Sequence, residues 1–266
     1  MVRRVPLLFI ILGVIGFLAL YIPVVVMMAY SFNAGKLSSV WAGFSFHWYG
    51  ALLGNEALLS ALGKSLLIGA VAASLSTIFG VLIAACFVRF GRFRGRLLLS
   101  ALASAPLVIP EVVMGLSLLL LFIGMEQLLG WPKGRGLDTI IIAHATFGMC
   151  FAAVVIQARL RQFDRSLEEA AMDLGARQPF IFFSVTLPLI APAILSAWLL
   201  TFTLSFDDLV IASFVSGPGS STLPIVIFSK VRLGVTPEIN AIATLMIVII
   251  AVGVTAGALL IGRKKR

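Results

Sequence analysis

Glu169-Ala170-Ala171-Met172-Asp173-Leu174-Gly175, with Leu187-Pro188 further along, lies in a polar segment, 159–188, set between two apolar runs that are each long enough to cross a bilayer. Its residues suit two short helices and a turn. Glu168, Glu169, Ala170, Ala171, Met172 and Leu174 are good helix formers, and Asp164 or Ser166 can cap the start by accepting a backbone N–H bond. Gly175 suits the left-handed stop. Pro179 fits the first turn of a second helix with Phe180 to Val185 as its apolar part, and Pro188, which has no N–H, is expected to end it. The two alanines after Glu169 leave a face that another protein surface can approach closely.

The rest of the chain is apolar. Of its 266 residues 61% are hydrophobic and only 12% charged, with a mean hydropathy of +1.12, whereas a soluble domain carries roughly a quarter charged residues to face water. A single membrane domain follows. Cys86 and Cys150 both fall in apolar runs, so neither a disulfide framework nor a metal site is implied. The net charge of +9 does not point to nucleic acid, because 14 of the 20 basic residues fall at the two ends and in the polar segments on the same side as 159–188. Such a bias marks the cytoplasmic side. Both termini and the polar handle are therefore expected inside the cell.

Apolar windows place six spans at about 7–30, 61–88, 97–124, 138–158, 189–213 and 237–262, each near the ~20 residues needed to cross the hydrocarbon. The first is too apolar over too great a length for a signal peptide. Between the first and second spans, Trp41, Phe44, Phe46, Trp48 and Tyr49 form an aromatic group suited to a membrane interface. Gly63-Lys64-Ser65 has the ending of a phosphate-binding loop, but Leu58 stands where that loop needs its first glycine, so no nucleotide site is expected in this chain.

Three carboxylates lie within or beside spans: Glu111, Asp207 and Asp208. A charge at mid-bilayer costs about 2.5–3.5 kcal/mol on insertion scales, so such residues normally face a partner, water or a transport path. At ~1.5 Å per residue, Glu111 sits roughly 21 Å beyond Leu97 and Asp207 roughly 27 Å beyond Leu189, in the outer half. Pro106 and Pro110 interrupt the third span just ahead of Glu111. Irregular backbone at that depth is tolerated where it is buried in protein or lines a cavity, and acids with aromatic neighbours can hold alkylammonium groups. His144 has no carboxylate or cysteine near it in sequence and reads as a packed or hydrogen-bonded structural residue.

The Glu-Ala-Ala, Gly175, Val185 and Leu-Pro positions stand in a register that resembles the cytoplasmic signature of permease subunits in binding-protein-dependent ABC importers. The resemblance implies an all-α permease of the MetI-like, type I importer fold whose handle docks into a cleft on an ATPase subunit; Glu168, Glu169, Ala170, Ala171, Asp173, Gly175, Leu187 and Pro188 are the coupling residues it implies. Ser31-Phe32-Asn33, Trp48-Tyr49, Pro110-Glu111-Val112-Val113-Met114-Gly115 and Leu204-Ser205-Phe206-Asp207-Asp208 narrow it to the second permease of polyamine importers. Trp48, Glu111, Ser205, Asp207 and Asp208 are then the implied cargo path.

What the resemblance implies is a multi-pass subunit of the bacterial inner membrane. It would pair with a similar permease, two ATPase copies carrying ATP and Mg, and a periplasmic polyamine-binding protein, and would do no bond chemistry itself. Alternatives are another cargo in the same machine, an ion-coupled secondary transporter, and a membrane hydrolase using Ser117 and His144. The last is opposed by Leu118, where rhomboid-like proteases have a glycine.

Overall fold

The long apolar runs form helices, and several of the turns between them carry glycine or proline. The structure, a computed structural model, describes residues 7–35, 40–234 and 236–263. Of the 20 basic residues, Arg3, Arg4, Lys36, Lys264, Lys265 and Arg266 lie outside the described residues. In order, the helices are α1 (Leu7–Tyr30), α2 (His47–Leu53), α3 (Glu56–Arg89), α4 (Arg96–Val108), α5 (Glu111–Leu129), α6 (Leu137–Arg161), α7 (Ser166–Asp173), α8 (Gln178–Ile181), α9 (Leu187–Phe206), α10 (Val210–Val215), α11 (Leu223–Leu233) and α12 (Pro237–Arg263). A π-turn, Phe182–Thr186, joins α8 to α9. The protein is all-α, with only an isolated bridge between Asn33 and Phe44 among the described residues.

By length and composition, α1, α3, α5, α6 and the run Gln178–Phe206 can cross a membrane, and Arg96–Val108 and Pro237–Ile249 are shorter apolar stretches. The third span is split. Pro106 stays inside α4, but Ile109 and Pro110 are extended, with ψ of 132° and 137°, and α5 begins anew at Glu111. The proline ring disfavours a helical residue before it, so the break falls at Ile109.

Two expectations need correction. Pro188 does not end a helix: the chain is helical from Gln178 through to Phe206. The wide π-turn before it, closed by the Leu187 N–H donating to the Phe182 carbonyl, absorbs the register change that a residue without a donor imposes. The fifth span, expected over 189–213, starts earlier and stops at Phe206, with α10 a separate short helix.

The chain divides into two compact units: one holds residues up to Leu59 and from Ile227 onward, the other Ser60–Val226. In the first, α12 packs against α1 and α2. Asn55 and Lys230 both donate to Glu238, at 2.6 and 3.0 Å, while the Arg232 guanidinium lies 4.5 Å from the Phe228 ring centroid. Lys230 thus forms an ion pair with Glu238 within the chain. The outer face of α1, from Leu8 to Val26, is exposed apolar surface, as a lipid- or partner-facing helix requires.

In the second unit α6 is the central post. Ile140, Ala143 and Phe147 pack with Leu118, Phe122, Ile211 and Val215, and Ala152, Ile156 and Leu160 pack with Val81, Ile190 and Ala197. Small residues let the backbones approach, as they do where lipid removes the hydrophobic drive between helices. A Cβ at Gly148 would lie 2.4 Å from the Ser76 hydroxyl of α3 and 3.4 Å from Thr201 of α9.

Candidate functional site

Glu111 stands in the first turn of α5, immediately after the extended Pro110. Asp207 stands at the other break, as the residue that ends α9. The two breaks meet because α5 packs along α10: Gly115 lies against Phe214 and the backbone of Ile211. Asp207 is consequently within electrostatic reach of both Asp208 and Glu111. Three carboxylates that the sequence scatters over about a hundred residues are drawn to one place.

Their roles differ. Asp208 caps α10, with Oδ1 accepting from the Ile211 N–H at 3.3 Å and Oδ2 from the Ala212 N–H at 2.7 Å. Its Oδ2 also lies 3.1 Å from His144 Nε2, and the other ring nitrogen, Nδ1, lies 2.7 Å from Ser205 Oγ. His144 is 3% exposed and Ser205 is 9% exposed. Asp207 and Glu111 are instead exposed carboxylates. Ser205, Asp207 and Asp208 are near neighbours in sequence, but the geometry separates a brace (Ser205, His144, Asp208) from open acids (Asp207, Glu111).

His144 is the residue that sequence reasoning set aside. Its partners are 61 and 64 positions away, so no local signal exposes them. The one usable clue was depth, since a polar residue inside a span needs a polar partner.

Trp48 belongs to the other compact unit. Its indole N–H donates to the Asn33 carbonyl at 2.7 Å, and the Asn33 side chain holds the loop by donating to the Val40 carbonyl and accepting from the Ala42 N–H. Phe32 stacks on Phe44, and Phe46 and Tyr49 close the aromatic group. The polar edge of Trp48 is spent on the fold of its own segment.

In the polar handle, α7 starts where the Ser166 N–H donates to Asp164 Oδ1 at 3.0 Å. That bond holds the Asp164 carboxyl below its ordinary value. Gly175, at φ +81°, ends the helix. The Gly175 N–H reaches the Met172 carbonyl and the Ala176 N–H the Ala171 carbonyl, the paired closure that a left-handed residue makes possible. Glu168 turns inward, accepting from Arg89 of α3 and from the Thr186 hydroxyl in the π-turn. Glu169, Ala170, Asp173, Gly175 and Leu174 are exposed, Leu174 at 89%. Arg89, Arg165, Glu168, Glu169, Met172 and Gln178 line part of a cleft of about 510 Å³.

Residues 76–265, well over half of the chain, match the family of binding-protein-dependent transport system inner membrane components. The chain belongs to that family. As such an inner membrane component it is 56% identical, over 90% of its own length and 85% of the relative's, to the putrescine transport system permease protein PotI of Escherichia coli (strain K12). It is 43% identical to the spermidine/putrescine transport system permease protein PotC of Haemophilus influenzae, over 86% of its length and 87% of the relative's. Among solved structures it is similar to a chain of a bacterial ABC transporter that imports the acidic polysaccharide alginate. That likeness has a TM-score of 0.70 and 19% identity over 94% of this chain and 95% of the other, and supports the fold alone.

Proposed function

We propose that the chain is a membrane permease subunit of an ABC importer that moves putrescine, spermidine or both into the bacterial cytoplasm. The observation that carries this reading is the 56% identity to a putrescine permease spread over nine-tenths of the chain. The exposed carboxylates of Asp207 and Glu111, each at a helix break, supply chemistry that suits a polyamine, whose ammonium groups are attracted to carboxylates. Relative to this cluster, Trp48 has a bracing part in its own segment rather than a free indole edge for cargo.

The subunit works beside a homologous second permease, two ATPase copies that hold the nucleotide and Mg, and a periplasmic binding protein that delivers the polyamine. The handle at Glu169, Ala170, Ala171 and Asp173 seats on an ATPase, and Gly175, Leu187 and Pro188 shape the turn and helix behind it. The basic ends and handle lie on the cytoplasmic side, as their share of the arginines and lysines suggests. The reading is tested by reconstituting the full complex in liposomes and following labelled putrescine and spermidine. ATP-dependent uptake of either supports it; uptake of neither by an active, assembled complex overturns it.

A further inference from the structure

We infer that His144 is a positioning residue for transport: it holds both sides of the helix break so that Asp207 presents its carboxylate to a cationic cargo. The inference rests on the proposed function for the identity of the cargo.

Ser205 and Asp208 flank Asp207 on either side of the break between α9 and α10, and the same imidazole meets both, at 2.7 and 3.1 Å. The ring is carried by α6, the best buried helix of its unit, and is itself 3% exposed. A carboxylate at Asp208 accepts from Nε2–H, and the Ser205 hydroxyl can pair with Nδ1 in either role. Three donors already converge on Asp208, from His144, Ile211 and Ala212. Little of its acceptor capacity is left for cargo.

The same helix grips α10 a second time, because the Thr139 hydroxyl donates to the Val215 carbonyl at 2.8 Å. Thus α6 holds the start of α10 through His144 and its end through Thr139. Asp207 thus lies between two anchored positions, Ser205 and Asp208, which fix the backbone that carries its exposed carboxylate. A cationic cargo then meets an acid on a braced break instead of on a mobile loop. Pre-organised charge of this kind adds selectivity because cargo binding does not have to order the site.

The test uses the complete complex in liposomes with saturating cargo-loaded binding protein, measuring polyamine uptake and ATP hydrolysis separately. For His144→Leu the expected result is a loss of uptake of about tenfold while loaded-binding-protein-stimulated ATP hydrolysis stays within about twofold, so cargo moved per ATP falls. His144→Gln, which keeps a donor toward Asp208, should recover uptake to within about threefold of the parent. In the His144→Leu background, Asp207→Asn should cost less than about a further twofold, the non-additivity expected of residues acting as one unit. Unchanged uptake in His144→Leu, or a full additional loss from Asp207→Asn, overturns the inference. Should His144→Leu not assemble, Ser205→Ala decides: a lowered ratio of cargo to ATP supports the brace, and a parental ratio overturns it. Failure here with Asp207→Asn still impaired leaves the proposed function standing, whereas normal uptake in Asp207→Asn alone counts against Asp207 itself.

Discussion

Arg89, the last residue of α3, donates to Glu168 in the first turn of α7 at 2.5 Å, and this pair fastens the polar handle to the end of a membrane-length helix. Arg165 adds a second attachment to the same helix end by donating to the Val88 carbonyl at 2.8 Å. With Thr186 as a second donor to the same oxygen, Glu168 joins α3, α7 and the π-turn at one atom. On the proposed function, a push on α7 would reach α3 and α9 through this shared oxygen. The first glutamate of the pair is a clasp, and the second, Glu169, is left facing outward.

Breaking the clasp should loosen transmission without preventing insertion. Glu168→Ala leaves the Arg89 guanidinium and the Thr186 hydroxyl without their shared acceptor, at a cost of about 1–3 kcal/mol. The expected outcome is a lower thermal midpoint for the purified complex and a several-fold drop in transport-coupled ATP hydrolysis. Normal coupling in a thermally unaltered complex would leave the clasp without a role.

Glu169→Lys acts on the exposed face instead. It should leave the membrane subunit at its usual abundance and thermal stability but reduce the amount of ATPase that co-purifies in mild detergent. Undiminished co-purification removes Glu169 from the docking surface.

Asp207 and Asp208 should part company on substitution, although they are adjacent and identical. Asp208→Ala strips α10 of its cap and His144 of its acceptor, so it should destabilise the protein by about 1–3 kcal/mol, read as a fall in thermal midpoint. Asp207→Asn should leave the midpoint within about 0.5 kcal/mol, as open substitutions do, while depressing polyamine uptake. Equal effects of the two on both measurements would show that the division is false.

Trp48→Phe keeps an aromatic ring but gives up the bond to the Asn33 carbonyl. Protease sensitivity of the segment around Ser31 to Ser45 should rise, with a stability loss of about 1 kcal/mol. If uptake falls while the segment stays as resistant as in the parent, Trp48 touches the cargo directly.

Gly148→Val probes the helix contact beneath the site. Its Cβ would come within 2.4 Å of Ser76 Oγ, so α3 and α6 must move apart, at a cost of about 1–3 kcal/mol. Reduced yield of folded subunit is expected, and parental yield and midpoint would mean that the contact yields easily.

Composition and local pattern alone were enough for the class of this protein. Long apolar runs can satisfy their backbone only as helices in lipid, so the all-helical form follows from the chain, and the turn at Gly175 and the cap at Asp164 are set by residues a few positions apart. The register of Glu169, Gly175, Val185 and Leu187-Pro188 likewise lies within one stretch of sequence. What the tertiary structure decided is everything that depends on distant residues meeting. The passage of the helix through Pro188 depends on a π-turn whose Thr186 is held by Glu168, and the inward turn of Glu168 depends on Arg89, 79 positions away. The division of labour between Asp207 and Asp208 depends on His144, which only the packing of α6 against α9 and α10 brings within hydrogen-bonding distance. Periodicity and propensity are local, whereas the partner of a buried polar group is chosen by the fold.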